Sequence, residues 1–380
     1  MARLIHIADL HLGRTLHHFS LLEEQRHALE QITAFVLSSE QPVTAVILAG
    51  DIFDRAIPPA DAITLLNDFL RSLAGDAKVP VIMIPGNHDS ATRMAMTEGL
   101  HAETLHIAPA IERGITPVTL EDEHGPMVFY PIPFLEPARV RYLNEDDTVT
   151  DQESAFRSVL SRLQGSKTQR RVAVAHAFVR NGASCESERL IQVGGAGEVS
   201  ASVFDGFNYV ALGHLHRPQS IGRDGQIQYS GSLLKYSKSE VDHQKSFTVV
   251  DIDANGQAVV ERQPFDIQRD LRVIRGHFDS LLEGAPQDTQ RDDYVFFELE
   301  DDRPVSEGMN RLKEWYPRAV HLCYLNAARD HQPPMYSRAH RQMPMTDYFT
   351  AFYRHTTNTE LDEDQAAVVA QLVAELAEST

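Results

Sequence analysis

The sequence has 380 residues, of which 42% are hydrophobic and 23% are charged. This composition excludes a disordered tail protein, a collagen-like repeat and a disulfide scaffold, and the length corresponds to about two or three domains of roughly 100–200 residues each. Asp and Glu outnumber Lys and Arg by 54 to 35, and the net charge of −19 argues against a protein that holds nucleic acid by its own electrostatic attraction.

The apolar runs and the cysteine content bear on the compartment of the protein. No apolar run approaches the ~20 residues of a membrane span, and the apolar stretch before Asp9 is too short for the core of a signal peptide. Cys185 and Cys323 are far apart in the sequence, which fits a reducing cytosol better than a disulfide framework. We therefore expect a soluble, cytoplasmic protein with no membrane partner.

Short apolar runs followed directly by polar residues recur in the first part of the chain. They cover residues 4–8, 45–49, 81–84, 172–175 and 209–212. Runs of this length are typical of strands that are buried on both faces. Helical patterns over residues 21–37 and 59–73 separate the first three runs. The alternation of strand and helix predicts an α/β sheet with crossover connections.

The segment that follows has the turn signals of antiparallel strands. Asp224-Gly225 divides residues 221–229, and Asn255-Gly256 divides residues 247–262. Both dipeptides favour tight hairpin turns. We therefore expect a mixed sheet, or two sheets packed on each other, that ends near residue 265.

The composition changes after Phe265. Strand patterns over 271–277, 294–299 and 319–325, with helical patterns over 278–283 and 305–315, predict a small α+β domain over residues 266–328. A linker containing Pro and Arg follows over residues 329–344. The helical tail over 345–380 has an aromatic-rich helix at 348–354 and a last helix that starts at 361, for which Thr359 is the expected N-cap.

The polar residues after the predicted strands have the chemistry of metal ligands. Because loops after the carboxyl ends of strands converge at one edge of an α/β sheet, we expect these residues to meet: Asp9, His11, Asp51, Asn87, His88, His176, His214 and His216. Each alone could be a cap, a turn or a core residue, but Asp, Asn or His at every strand end is hard to explain in that way. Imidazoles with carboxylates suit Mn²⁺, Fe²⁺ or Zn²⁺. The set is large enough for two ions, which can clamp the attacking and leaving oxygens of a phosphoester.

The motifs of this set resemble those of the calcineurin-like metallophosphoesterase superfamily. They are Asp9-x-His11, Gly50-Asp51-x-x-Asp54, Gly86-Asn87-His88-Asp89, His176 and Gly213-His214-x-His216. The segments ADLHLG, GDIFDR, GNHDS, ALGHLHRPQ, YSGS and LDEDQ are similar, more specifically, to the SbcD family of bacterial nuclease subunits. The resemblance covers most of the chain. It implies an α/β metallophosphoesterase fold over residues 1–265, with mixed sheets packed as a sandwich flanked by helices, followed by the α+β capping domain and the helical tail.

The resemblance also implies a role for each residue of the set. One metal ion would be bound by Asp9, His11, Asp51 and His216, and the other by Asp51, Asn87, His176 and His214. Asp51 would then bridge the two ions. His88 matches the catalytic histidine of the family, which is not a ligand and which stabilises the transition state or protonates the leaving oxygen. Asp54 and Asp89 are expected to orient ligands or loops from outside the coordination spheres, although Asp54 could equally be a plain turn residue.

The function that the resemblance implies is that of a DNA nuclease with two divalent metal ions, Mn²⁺ above all. Together with an SbcC-like coiled-coil ATPase it would act in DNA repair and recombination, as an ATP-dependent exonuclease on duplex ends and an endonuclease on single strands and hairpins. A homodimer within a heterotetramer is expected, through helices over 92–100 and 59–73. The candidate DNA contacts are Arg55, Arg93, Arg180 and Arg217. The alternatives are a stand-alone phosphodiesterase or phosphatase acting on nucleotides or phosphoproteins, and a catalytically inactive scaffold.

Overall fold

The computed structural model describes residues 1–95, 103–108, 110–163, 170–188, 197–222, 225–326, 345–357 and 360–378. Within them the strands are β1 (Ala2–Ile7), β2 (Thr15–Leu16), β3 (Phe19–Ser20), β4 (Val43–Ala49), β5 (Val81–Ile84), β6 (Leu105–Ile107), β7 (Val118–Asp122), β8 (Gly125–Pro131), β9 (Arg170–His176), β10 (Phe178–Val179), β11 (Glu198–Val199), β12 (Tyr209–Gly213), β13 (Gln219–Ile221), β14 (Ile227–Tyr229), β15 (Ser246–Ile252), β16 (Ala258–Pro264), β17 (Leu271–Gly276), β18 (Tyr294–Leu299) and β19 (Ala319–Tyr324). The α-helices are α1 (Leu22–Ser38), α2 (Ala60–Leu70), α3 (Ala91–Met94), α4 (Pro137–Asn144), α5 (Gln152–Leu160), α6 (Phe278–Gly284), α7 (Gly308–Lys313), α8 (Met345–Thr357) and α9 (Glu363–Glu378).

Two mixed sheets form the centre of the larger unit. The first has the order β16-β15-β1-β4-β5-β6, and the second has the order β13-β14-β12-β9-β8-β7. The strands β1, β4, β5 and β6 are parallel, as are β8, β9, β12 and β14. The pairs β15–β16 and β13–β14 are antiparallel, as the turn residues predict.

The sheets pack face to face through their inner side chains. Leu4 and Ile47 of the first sheet share one buried cluster with Phe129, Val172 and Tyr209 of the second. Side chains alternate along a strand, so the other residues of the same strands point outward. A strand that is buried on both faces therefore has a continuous apolar sequence. This arrangement confirms the predicted sandwich of mixed sheets.

Helices cover both outer faces of the sandwich. Helix α1 buries Leu29 and Ile32 in the cluster that contains Ile5 of β1. Helix α5 buries Phe156 in the cluster that contains Ala173 of β9. Each helix is amphipathic, with one apolar stripe facing a sheet, and the sandwich is therefore flanked by helices as expected.

The three-stranded sheet β17-β18-β19 packs against the same outer face as α1. Leu271, Phe296 and Val320 belong to the hydrophobic cluster of α1 and the first sheet, and the Tyr294 hydroxyl donates to Glu24 Oε1 at 3.0 Å. The helix predicted over 305–315 is shorter, at Gly308–Lys313, because Glu307 has a left-handed φ of 52° that a continuous helix cannot contain. The domain boundary at residue 265 stays a prediction.

A second compact unit comprises residues 300–304 and the chain from Tyr324 onward. Its helices α8 and α9 confirm the two helices predicted in the tail. Val368 and Leu372 on α9 are more than half exposed. Among the helices described, none combines the length and the apolarity that crossing a bilayer requires.

Three of the sequence predictions concern segments that the structure does not describe. The predicted linker over 329–344 and the predicted cap Thr359 lie outside the described residues. The helix predicted over 92–100 begins as α3, and its residues 96–100 also lie outside the described part of the chain.

Candidate metal centre

The predicted ligands converge at the carboxyl ends of β1, β4, β5, β9 and β12. The site therefore spans both sheets, since the first three strands belong to one sheet and the last two to the other. The members that are at most 5% exposed are Asp9, His11, Asp51, His176, His214 and His216. Burying this many ionisable groups together is costly without a compensating charge.

Four of these six buried residues also have a strained backbone conformation. Asp9, His11, Asp51 and His214 have φ values of 52°, 45°, 49° and 107°. Left-handed backbone is unfavourable for residues other than glycine, and it concentrates at functional sites, where surrounding contacts maintain it. Two backbone hydrogen bonds, from Asp9 N to Gly50 O and from His11 N to Asp51 O, both 3.0 Å long, hold the first two loops together.

Asp51 lies at the centre of the site. Its Oδ2 atom is 3.7 Å from His11 Nε2 on one side and 3.5 Å from His176 Nε2 on the other. Its Oδ1 atom accepts a hydrogen bond from the His88 backbone N–H at 2.8 Å. Burial opposes ionisation of this carboxyl, but the neighbouring imidazoles of His176 and His11 hold its pKa well below the usual value. Asp51 is therefore an anion between two imidazoles.

The first half of the site contains Asp9, His11 and His216, whose donor atoms all lie within 4.8 Å of one another. His11 Nε2 faces His216 Nε2 at 3.1 Å. The other nitrogen of His216, Nδ1, is 2.7 Å from Ser187 Oγ, and this hydroxyl donates to Glu240 Oε1. The Ser187 oxygen therefore accepts from His216 Nδ1–H, which leaves a lone pair on Nε2. Burial lowers the pKa of His216 to about 4.

The second half contains His176, His214 and Asn87. His176 Nε2 and His214 Nδ1 lie 2.9 Å and 3.2 Å from Asn87 Oδ1. His176 Nδ1 is 3.0 Å from the Ala49 carbonyl oxygen, to which it donates, so Nε2 is the atom that faces the site. Burial disfavours a charged imidazole, yet Asp51 and Asp9 raise the pKa of His176 to about 9.

These contacts meet the requirements of divalent metal ions. Carboxylate oxygens, an amide oxygen and imidazole nitrogens face one another at short distances, and most of them are acceptors without a donor between them. A donor set of this mixed type suits Mn²⁺, Fe²⁺ or Zn²⁺ better than Mg²⁺ or Ca²⁺. The residues present therefore fit two adjacent divalent ions.

His88 is placed differently from the buried imidazoles. Its Nδ1 atom donates to the Asp54 carbonyl oxygen at 2.8 Å, and its Nε2 atom is 4.0 Å from Asp51 Oδ2. Its side chain is 17% exposed, whereas the side chain of His11 is 1% exposed. His88 can therefore present Nε2 to a molecule that enters from solvent.

Asp89 and Asp54 lie beside the predicted ligands. Asp89 accepts hydrogen bonds of 2.9–3.0 Å from the backbone N–H groups of Ile52, Phe53 and Gly86, and so fastens the loops after β4 and β5 to each other. Asp54 Oδ1 is 3.8 Å from His11 Nδ1.

Comparison with known proteins identifies the family. The family model described as calcineurin-like phosphoesterase matches residues 2–218, and one described as type 5 capsule protein repressor C-terminal domain matches residues 267–357. The chain is similar to the SbcD subunit of the SbcCD nuclease from Staphylococcus epidermidis, with 30% identity over 98% of both chains. It is also similar to the same subunit from Staphylococcus saprophyticus, with 31% identity over 99% of both chains.

This chain belongs to the SbcD family of calcineurin-like phosphoesterases. It is therefore a metal-dependent phosphodiester hydrolase of the nuclease type. A solved structure, that of TT1561 from Thermus thermophilus, matches 69% of this chain and 98% of its own, with 15% identity and a TM-score of 0.39.

The candidate DNA contacts of this SbcD-family chain have different surroundings. Arg55, Arg93 and Arg217 are exposed. Arg180 forms an ion pair with Glu153 at 2.8 Å, so it would have to leave this partner before it could contact a phosphate. All four assignments stay predictions.

Sequence patterns missed the residues that surround the first half of the site. Ser187, Glu240 and Tyr236 contact the imidazoles, and Lys245 donates to Glu240 Oε2 at 2.5 Å while fully buried. They come from loops remote in sequence, and no spacing pattern identifies them. Arg14 also lies beside this half of the site, 3.5 Å from Asp54 Oδ1. It is the one such residue named here that a sequence pattern could indicate, because it follows His11 by three positions.

Gly86 provides a test of how closely the loops must approach. A Cβ atom at this position would lie 2.2 Å from Asp51 Oδ1 and 2.3 Å from Asp51 N. Gly86→Ala should therefore displace Asp51 and weaken Mn²⁺ binding by about 10–100-fold, as measured by calorimetric titration of the metal-free protein. The matched control is Gly284→Ala, where a Cβ atom would meet nothing within 4 Å. Unchanged Mn²⁺ affinity in the Gly86 variant would show that the loops tolerate separation.

Proposed function

We propose that this chain is the DNA nuclease subunit of an SbcCD-type complex and that it hydrolyses phosphodiester bonds with two divalent metal ions, preferably Mn²⁺. The single observation that carries the proposal is the position of Asp51 Oδ2, 3.7 Å from His11 Nε2 and 3.5 Å from His176 Nε2. A carboxylate between two groups of imidazoles is the arrangement that a bridging ligand requires.

The proposed ligands divide into two sets that share Asp51. They are Asp9, His11, Asp51 and His216 for one ion, and Asp51, Asn87, His176 and His214 for the other. When bound, two such ions activate water and neutralise charge on the attacked phosphate. The hydrogen bonds of His176 Nδ1 to Ala49 O and of His216 Nδ1 to Ser187 Oγ keep the opposite nitrogens directed into the site.

His88 is the proposed catalytic residue. Its Nδ1–H is held by the Asp54 carbonyl oxygen, so Nε2 is the atom that can interact with a phosphate oxygen. Protonated at Nε2, the imidazole stabilises the charge that develops on the phosphoryl group or donates a proton to the leaving oxygen. A general acid in this position contributes about 10²–10⁴-fold to the rate.

We further propose that DNA reaches the site past Arg55, Arg93, Arg180 and Arg217 and that most of the affinity comes from an SbcC-like coiled-coil ATPase. With a net charge of −19, the chain as a whole repels a polyanion. The relatives are named as subunits of SbcCD. In the complex, a dimer of this chain within a heterotetramer would act on duplex ends with ATP. Single strands and hairpins would be cut endonucleolytically, in the cytoplasm at the nucleoid.

The purified chain tests the catalytic part of this proposal. It should cleave a single-stranded oligonucleotide with Mn²⁺, more slowly with Mg²⁺, and not with EDTA. A nucleotide monoester and a phosphopeptide serve as comparison substrates. Faster hydrolysis of either comparison substrate than of DNA would contradict the nuclease assignment and favour a stand-alone phosphatase.

The helical tail is the proposed contact with the ATPase. Val368 and Leu372 lie four residues apart on α9, so they share one helix face, and they are 55% and 53% exposed. A chain that ends at Gln342 should keep metal binding and Mn²⁺-dependent cleavage of single strands but lose ATP-stimulated cleavage of duplex ends. The readout is co-elution with the ATPase on size exclusion.

A finer version of this test keeps the whole chain. Val368→Asp/Leu372→Asp should abolish co-elution with the ATPase, because two charges on this face oppose burial. The matched control is Val259→Asp, at a valine of β16 that is 64% exposed. Undiminished complex formation by the truncated chain would refute the role of the tail.

A further inference from the structure

Arg14 is a largely buried arginine beside the first half of the metal centre. Its side chain is 17% exposed, and its guanidinium has three contacts. The Nη1 atom is 3.5 Å from Asp54 Oδ1, Nη2 donates to the Ser187 carbonyl oxygen at 3.2 Å, and Cζ lies 5.0 Å from the centre of the Tyr236 ring. The guanidinium thus joins three segments that are distant in the sequence.

Each of these three contacts leads to an imidazole of the site. The same Asp54 oxygen, Oδ1, is 3.8 Å from His11 Nδ1. Ser187 Oγ is 2.7 Å from His216 Nδ1. The Tyr236 ring packs edge-on against His11 and His216, with centroid distances of 5.5 Å and 5.7 Å. Arg14 is therefore in contact with three neighbours of the two imidazoles.

The other half of the site has separate supports. His176 Nδ1 donates to the Ala49 carbonyl oxygen, and His214 Nδ1 lies 3.2 Å from Asn87 Oδ1. Neither of these two hydrogen bonds involves Arg14. A change at Arg14 should therefore act on one half of the site and leave the other half intact.

We propose that Arg14 is a positioning residue that orients His11 and His216 through Asp54, Ser187 and Tyr236, and that it thereby sets the affinity for the metal ion that these two histidines bind. The inference rests on the proposed two-ion site. Arginine suits this role because its planar fork can hold two acceptors while its face lies on an aromatic ring, whereas lysine is a point charge. Groups that contact a metal-ligating imidazole directly typically change metal affinity about 10–100-fold, and Arg14 acts through such groups.

The test is a calorimetric titration of the metal-free full chain with Mn²⁺. The wild type should bind two ions. Arg14→Gln should raise the dissociation constant of one binding step about 10–100-fold and leave the other unchanged. Arg14→Lys should affect the same step, which keeps the test valid if the glutamine variant folds poorly. Arg71→Ala, at an exposed arginine directly after α2, is the matched control.

A double variant distinguishes positioning from a general structural role. Because Arg14 acts in part through Asp54, the effect of Arg14→Gln/Asp54→Asn on the sensitive step should be smaller than the product of the single effects. Equal weakening of both steps, unchanged affinity in both Arg14 variants, or independent effects in the double variant would overturn the inference. A wild type that binds fewer than two ions would instead contradict the proposed function.

Discussion

Replacing Asp51 by Asn should remove both metal ions from the protein and reduce cleavage of single-stranded DNA below detection. Asn carries no negative charge, so its side-chain oxygen cannot offset the charge of two cations and is a poor bridging ligand. The geometry makes this effect larger than that of any other ligand, because Asp51 Oδ2 faces His11 Nε2 and His176 Nε2 together. Elemental analysis of the purified variant gives the number of Mn²⁺ ions per chain.

Asp68→Asn is the matched control for this experiment. Asp68 is an exposed carboxylate whose side chain pairs with Arg71 on the protein surface, and its replacement should leave both ions bound. Retention of one ion per chain in the Asp51 variant would contradict the assignment of Asp51 as the bridge.

His88→Ala should keep both metal ions and the folded structure but lower the cleavage rate about 10²–10⁴-fold. The contacts of the side chain explain why the rate should fall while the metal ions stay bound. Nδ1 is held by the Asp54 carbonyl oxygen, and Nε2 lies 4.0 Å from Asp51 Oδ2. The rate constant under saturating Mn²⁺ and single-turnover conditions is the measurement, because it excludes effects on product release.

His124→Ala provides the comparison for the His88 variant. His124 lies in the turn between β7 and β8, where its side chain contacts the N-terminal ammonium group, and its loss should not change the rate. If His88→Ala instead lost a metal ion, the residue would be a ligand. If it cleaved DNA nearly as fast as the wild type, it would have no part in the reaction.

The strands and the convergence of the site could be predicted because they follow from strong local patterns. The apolar runs ending at Ala49 and Ile84 each carry a glycine and polar residues shortly afterward. Strands buried on both faces require the apolar runs, and the close approach of two loops requires the glycines. Gly86 shows the reason, since any side chain there would collide with Asp51.

Other parts of the fold do not follow from these patterns. Strand β8 contains Pro126 and Pro131 and is followed by Pro133, so its sequence contains breakers that argue against a central strand, although it pairs with both β7 and β9. The ion pair between Glu240 and Lys245 is equally unexpected, because two opposite charges five residues apart are usually exposed. Tertiary contacts with His216 and Ser232 decide their burial.

The most direct test of the two-ion account is a titration of the metal-free chain with Mn²⁺ that records cleavage of single-stranded DNA and bound metal in the same samples. We predict that activity saturates when two ions are bound per chain, and that the Asp51→Asn variant neither binds metal nor cleaves at any point of the titration. Full activity with one bound ion, or cleavage that persists in excess EDTA, would contradict the account.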